Sequence, residues 1–322
     1  MNIWNFLGLP SDHRPEDKTV QLVKHFADVE KKITYPVIGQ RKFDGVFALL
    51  VCDGNGVGIF GRTGRLFTGL SRMLPKIMPK GRVVFIAELC CDSCSLEVLS
   101  GLVNPNRKRE DTPEEVELRK HFYFAYHDML YLSELIEGES KRPYSLRLLD
   151  LERHTLDLAD LPGYIPTSTE LKDAEECHAF SDMLIAMDCE GAVFKMPNEG
   201  WIAGRKNHVQ TKEVCGVDFD LLVTGMVEGK GKHRGMVGKL LVRWLPYGIP
   251  FTGVPSGAPS SCFTEDLPVD GCFTQKMRQA WWDGEQICGK IVHVHALQIG
   301  SKGALRLPKV KAVRIDKTVA DL

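Results

Sequence analysis

Lys42-Phe43-Asp44-Gly45 interrupts the apolar, strand-like run GQRKFDGVFALL at residues 39–50 with an amine, a carboxylate and a glycine. An amine held at the end of a half-buried strand can attack phosphorus if neighbouring cations or a metal depress its pKa. At the reference value of about 10.4, less than about 0.1% of a lysine is neutral at pH 7.4, so the neighbours decide. The plainer alternative is a strand that closes in an ordinary Asp-Gly turn with Lys42 in water.

Further carriers of chemistry follow at intervals. Glu88 lies in the otherwise apolar VVFIAELCC, where a carboxylate must meet a cation or metal, or form an ordinary internal salt bridge. Glu190 and Lys195 bracket EGAVFK, whose glycine permits close backbone approach. Lys212 precedes a change of composition, and Arg314 and Lys317 end the last strand-like run in RIDK. One or two carboxylates together with substrate phosphates are the usual magnesium arrangement. Lysines and arginines around them make a phosphoryl-transfer clamp. The pattern fits Lys42 attacking the α-phosphate of a nucleotide, with Asp44 holding the ribose or the lysine.

These residues need elements to position them. Residues 18–32, KTVQLVKHFADVEKK, space Val20, Val23, Phe26 and Val29 three apart and predict an amphipathic helix. VFALLVCDG, VGIFGRTGRLF and RVVFIAELCC predict strands, the first two joined at Asp53-Gly54-Asn55-Gly56. The charged segment 104–120 predicts a solvated loop leading into a surface helix. HFYFAYHDMLYL returns to strand, ELKDAEECHAFSDMLIAMD reads as a helix, and CEGAVFKM as another strand. Near Val217 the pattern changes: DFDLLVTGMV, GKLLVRWLP, KIVHVHALQI and KVKAVRI predict short strands separated by Gly, Pro and Ser, including the tract GIPFTGVPSGAPSS. Such strands suggest a small barrel such as an OB-fold, and a boundary that divides residues 1–217 from 218–322.

Composition narrows the classes. The 322 residues, 43% hydrophobic, suffice for two cores, and 41 basic against 42 acidic residues leave no global positive field. No apolar run approaches the roughly 18 residues needed to span a bilayer, and the start lacks a secretory pattern, so a cytoplasmic protein without membrane association is expected. Of ten cysteines only Cys91 and Cys94 form a CxxC, which without a second pair predicts structural thiols rather than zinc.

The ordered series KFDG, GRTG, FIAEL, FAYHDML, EGAVFK, QTK and RIDK resembles the motifs of ATP-dependent DNA ligases, members of the covalent nucleotidyltransferase superfamily. The likeness runs from about Val37 to Lys317; the interdomain run DFDLLVTGMVEGKGKHRG and the ending LRLPKVKAVRIDK are its most specific parts. It implies an α+β nucleotidyltransferase (adenylation) domain followed by an all-β OB-fold barrel, in the small two-domain form common in phages and viruses, and host cytoplasm if phage-encoded. It implies ATP and magnesium, AMP carried covalently on Lys42, nicked duplex DNA as partner, and a monomer. Residue by residue, Glu88 and Glu190 become ribose and metal carboxylates and Arg62 faces the nucleotide or the nick phosphate. Lys195 and Lys212 grip the α-phosphate, and Arg314 and Lys317 orient pyrophosphate. Tyr126, or else His127, stacks on adenine. Gln40 stands where many ligases carry a glutamate that accepts from the adenine amino group; glutamine keeps the carbonyl oxygen.

Two positions depart from the pattern. Phe47 replaces the arginine of KxDGxR, and Gln210 with Lys212 replaces a pair of lysines. Two other readings stand beside the ligase: an mRNA-capping guanylyltransferase or RNA ligase of the same chemistry, and a nucleic-acid-binding OB protein with a dead first domain. GKGKHRG and QKMRQ are candidate phosphate contacts or plain solvated faces.

Overall fold

A computed structural model of the chain describes residues 1–15, 18–75, 81–155, 162–204, 206–244, 264–271, 273–299 and 304–321. It divides into two compact units, Met1–Val214 and Cys215–Leu322. The first unit contains, in chain order, α1 (Ile3–Phe6), β1 (Leu22–His25), β2 (Val37–Arg41), β3 (Val46–Cys52), β4 (Val57–Gly61), β5 (Val83–Cys90), α2 (Leu96–Leu102), α3 (Pro113–Leu118) and β6 (Tyr123–Tyr131). There follow α4 (Leu132–Glu137), β7 (Glu139–Ser140), α5 (Tyr144–Thr155), β8 (Gly163–Tyr164), β9 (Thr169–Leu171), α6 (Ala174–Ala186), β10 (Gly191–Lys195), β11 (Trp201–Ile202) and β12 (Lys206–Val214).

Two five-stranded sheets result, in the orders β4-β3-β5-β6-β8 and β1-β12-β10-β2-β9. The first is built from continuous apolar runs because both its faces are covered. Phe85, Ala87, Leu89, Phe124 and Tyr126 pack on one face with Leu99, Leu102 and Leu151. Leu49, Val51, Val84 and Ile86 fill the other with Ile3, Trp4 and Trp201. Farther along that second face stand Phe47 and Glu88, directly opposite each other, and they line a cleft. In the second sheet side chains alternate with period two: Val37, Ala192 and Phe194 pack with Leu171, Cys177 and Leu184, whereas Gln40, Val193, Lys195, Gln210 and Lys212 line the cleft.

The helix predicted over residues 18–32 is not formed. Leu22–His25 is a strand parallel to β12, with Lys24 opposite Thr211 and His25 opposite Lys212, and only Glu30–Lys32 forms a 3-10 turn. The three-residue apolar spacing arises because Val20 and Phe26 serve two different cores. The backbone of Phe26 donates to Lys212 O at 2.9 Å, a sheet partner that an isolated helix would forgo. The other predicted elements of this unit are present; the helix at 174–186 is capped by Asp173, whose side chain accepts from Glu176 N at 2.9 Å.

The second unit comprises β13 (Val217–Glu228), β14 (Val237–Trp244), β15 (Thr264–Gly271), α7 (Gln275–Trp282), β16 (Ile291–Ala296), β17 (Gln298–Ile299), β18 (Leu305–Arg306) and β19 (Lys309–Arg314). Its strands close in the order β13-β14-β15-β19-β16, a five-stranded barrel of OB type. Leu221, Val223, Leu240, Val242, Trp244, Val292 and Val294 fill it. The tract GIPFTGVPSGAPSS lies outside the described residues.

Candidate active site

KFDG turns out to be the crossover between the two sheets rather than a hairpin turn: β2 of one sheet ends at Arg41 and β3 of the other begins at Val46. Lys42 is fixed at its backbone, where its N–H donates to Gly191 O at 2.8 Å. Gly191 has φ 136°, and a Cβ there would lie 2.2 Å from Glu213 O, so only glycine fits. Its neighbour Glu190 places a carboxylate oxygen 2.6 Å from Lys42 Nζ. Gly45 is demanded by packing as well: a Cβ would meet Leu89 O at 2.5 Å and Glu88 Cγ at 2.7 Å. The two glycines bring the amine and both carboxylates into one place.

Charge at this end of the cleft is unbalanced. Burial pushes the Glu88 carboxyl up to about 7; Lys42 and Arg62 pull it down, while Glu190 and Asp44 push it further up. Arg62 comes from the tight turn after β4, closed by a hydrogen bond from Gly61 N to Arg65 O at 2.9 Å, and it lines the cleft. Among the described residues no three His, Cys, Asp or Glu side chains are grouped to hold a metal by themselves. Two repelling carboxylates, one of them kept partly protonated chiefly by burial, fit a hard divalent cation that also takes oxygens from a substrate phosphate.

The other end of the cleft is aromatic. Antiparallel pairing sets Ile86 opposite Asp128 and Ala87 opposite Tyr126, leaving His127 as the extra residue of a β-bulge. Bulges re-aim side chains. His127 is thereby turned into the cleft beside Phe47, ring centroids 6.4 Å apart. Tyr126, the first choice for stacking on a base, is corrected: it is 2% exposed in the core with Phe85 and Phe124 and does not line the cleft. Burial, reinforced by Lys195, lowers the His127 pKa to about 3, so its ring is neutral.

The ladder also revises Lys195. It stands opposite Ile38 on one side and Gln210 on the other, four strand residues or roughly 13 Å from the Lys42 level. Its ammonium donates to His127 O at 2.5 Å and lies 3.3 Å from the Tyr144 hydroxyl, so it is engaged at the aromatic end and not beside Lys42 as an α-phosphate grip requires. Burial lowers its pKa to about 8. Lys212 stands one row nearer Lys42, opposite Val193, which pairs with Gln40. A lysine at Gln210 would crowd Lys195 directly across the pair, where Cβ atoms are about 5 Å apart.

Tyr144 and Ser168 went unread in the sequence, yet both hold Gln40. Tyr144 opens α5, whose Arg147 forms a buried pair with Asp128, Nε to Oδ1 2.9 Å. Asp44 is exposed, close enough to Glu88 to raise it. The structure thus gathers Gln40, Lys42, Arg62, Glu88, Glu190, Lys195 and Lys212 in the first unit. Arg314 and Lys317 belong to the second, where both pair with Asp220, Arg314 at 2.9 Å.

The chain matches the family model described as the ATP-dependent DNA ligase domain over residues 19–224. It is 26% identical over 259 residues to DNA ligase 1 of Methanosarcina mazei, which covers 73% of this chain and 43% of that protein. The chain spans about two-fifths of the length of the curated relatives it matches. Among solved structures it resembles a Lig E DNA ligase with a TM-score of 0.66 at 17% identity, covering 92% of this chain and 98% of that one. The ATP-dependent DNA ligase from bacteriophage T7 in complex with ATP gives 0.52 at 17% identity, covering 92% and 99%. Likeness at such identities establishes a shared fold of two units.

Proposed function

The chain belongs to the ATP-dependent DNA ligase family, and from that premise we propose that it seals 5′-phosphate/3′-hydroxyl nicks in duplex DNA through AMP carried on Lys42. The observation that supports this most is Lys42 itself: a lysine anchored at its backbone by Gly191, its amine 2.6 Å from Glu190, in a cleft with Glu88, Arg62 and Lys212. In the first step Lys42 Nζ bonds to the α-phosphorus of ATP, the α–β bridging bond breaks, and pyrophosphate leaves with the electron pair. Lys42 sheds one proton to solvent to become the attacking amine and a second as the N–P bond forms. AMP then passes to the 5′-phosphate of the nick, and the 3′-hydroxyl displaces it. Each step is an in-line displacement that rests on positioning and charge neutralisation more than on acid-base chemistry.

The cleft's two ends divide this work. Lys42, Glu190, Glu88 and Arg62 take the phosphate and ribose end, with Asp44 at its rim and Lys212 one row in. His127 and Phe47 take the base, and Gln40 reads its edge. Glu88 and Glu190 would hold magnesium, which supplies charge neutralisation on the phosphate when bound. Arg314 and Lys317 are assigned to pyrophosphate in the first step. The protein acts as a monomer on nicked duplex DNA in the cytoplasm; no helix among the described residues is long and apolar enough to cross a membrane.

The test is sealing of a 5′-labelled nick by the full chain with ATP, GTP and magnesium, beside an RNA with a 5′-diphosphate end. Sealed duplex and an unmodified RNA end are expected. Transfer of nucleotide to the RNA end without sealing would move the chain to the capping reading.

A further inference from the structure

Gln40 is 2% exposed, lines the cleft, and lies on the same strand face as Lys42 two residues along, a separation of about 7 Å. Its amide is held by two hydroxyls: Nε2 donates to Ser168 Oγ at 3.0 Å, and Oε1 accepts from the Tyr144 hydroxyl at 3.2 Å. An amide has two lone pairs and two N–H donors, so one of each stays available to a ligand. The Tyr144 hydroxyl also lies 3.1 Å from His127 O, an acceptor, and 3.3 Å from Lys195 Nζ, a donor.

Hydroxyl hydrogens rotate to suit their partners. If the amide turns over by half a turn, Ser168 donates to its oxygen, and Tyr144 accepts from its nitrogen while donating to His127 O. Neither orientation strands a buried polar atom, so the surrounding fold does not choose between them. A carboxylate or guanidinium in place of either hydroxyl would lock the amide one way.

Resting on the reading of this cleft as the ATP site, we propose that Gln40, with Tyr144 and Ser168, is a reversible reader of the purine 6-position. An inosine-type 6-oxopurine triphosphate then serves beside ATP as donor of the covalent nucleotide. A 6-amino group donates to the amide oxygen, whereas a 6-oxo group accepts from the amide N–H. A carboxylate at this position only accepts, and sets oxygen against oxygen with a 6-oxopurine. The covalent step is the same in either case: the Lys42 N–P bond forms, the α–β P–O bond breaks, pyrophosphate departs with the electrons, and the amine proton passes to water.

The experiment is single-turnover self-labelling of the full chain with α-labelled ATP and α-labelled ITP, read on a denaturing gel. Rates within about tenfold of one another are expected for the unaltered chain, and Gln40→Glu should raise the preference for ATP by about 30-fold or more. A preference for ATP above about 100-fold in the unaltered chain overturns the inference, as does an unchanged ratio in a folded Gln40→Glu protein. Should that variant not fold, the ratio in the unaltered chain and calorimetric binding of ITP against ATP to Lys42→Ala decide the matter. Labelling from ATP alone sinks this inference and leaves the ligase reading standing; labelling from neither sinks both.

Discussion

Asp220 of the barrel and Glu88 of the cleft are both carboxylates set in strands, and they are held in opposite electrostatic states. Burial pushes Asp220 up, but Lys317, His293 and Arg314 overcome it and leave the carboxyl below the usual range. Arg314 reaches both its oxygens, at 3.2 and 2.9 Å, and His293 Nδ1 stands 3.1 Å away. Asp321 closes the group, accepting from Asp220 N at 2.6 Å. Glu88 has no such company: burial raises it to about 7, and the help of Lys42 is contested by Glu190, which holds that lysine itself. The barrel's carboxylate is already met by cations of its own unit. Glu88 is kept from ionising by burial that Lys42 and Arg62 do not offset, the kind of perturbation expected at a site that takes a cation and a phosphate.

Four substitutions can break or sharpen this contrast. The largest effect is expected from Glu190→Ala, which removes the partner of Lys42 and half of the carboxylate pair: self-labelling from ATP should fall by about 100-fold or more. A thermal melt run alongside should move by only a few degrees, and a collapse of the melting temperature would instead make Glu190 a structural residue.

Glu88→Gln should separate stability from activity. A carboxyl whose folded pKa is raised from 4.5 to about 7 contributes stability that is present below pH 4.5 and is lost as pH rises through 7. Glu88 is half-buried, so the loss is on the order of 1–2 kcal/mol after allowing for screening. The glutamine variant should therefore melt higher than the unaltered chain at pH 8 and equally at pH 4.5, while labelling drops about tenfold or more. A variant less stable at pH 8 would show that burial does not penalise the Glu88 carboxylate.

The smallest effect belongs to the barrel. Arg314→Ala and Lys317→Ala should each slow self-labelling about tenfold, yet seal a pre-adenylated nick within about twofold of the unaltered rate. If sealing slows as much as labelling, the assignment of these cations to the first step is wrong. If neither rate moves, they serve only Asp220.

Most of this was legible in the sequence where function is carried by local pattern. KFDG, EGAVFK and the strand runs announced Lys42, Glu190 and Glu88 because a charged residue inside an apolar strand needs a reason. Tyr126 and His127 could not be separated, since a bulge adds one residue to a strand without leaving a mark in its alternation. Lys195 was misplaced for a related reason: which row of the ladder a residue occupies depends on pairing with β2 and β12, far away in sequence. The same non-local pairing explains residues 18–32, where three-residue spacing imitated a helix although β12 supplies the partners. Phe47 looked like a missing cation, but the structure sets Arg62 within reach of Glu88 and gives Phe47 to His127.

The central claim is that Lys42, alone among the lysines of the cleft, carries the nucleotide. Peptide mapping by mass spectrometry of the full chain after incubation with ATP and magnesium tests it most directly. An increment of one AMP confined to the peptide that contains Lys42, and lost in Lys42→Ala, is the predicted result. The same increment on Lys195 or Lys212, or on no peptide under conditions where nicks are sealed, would contradict it.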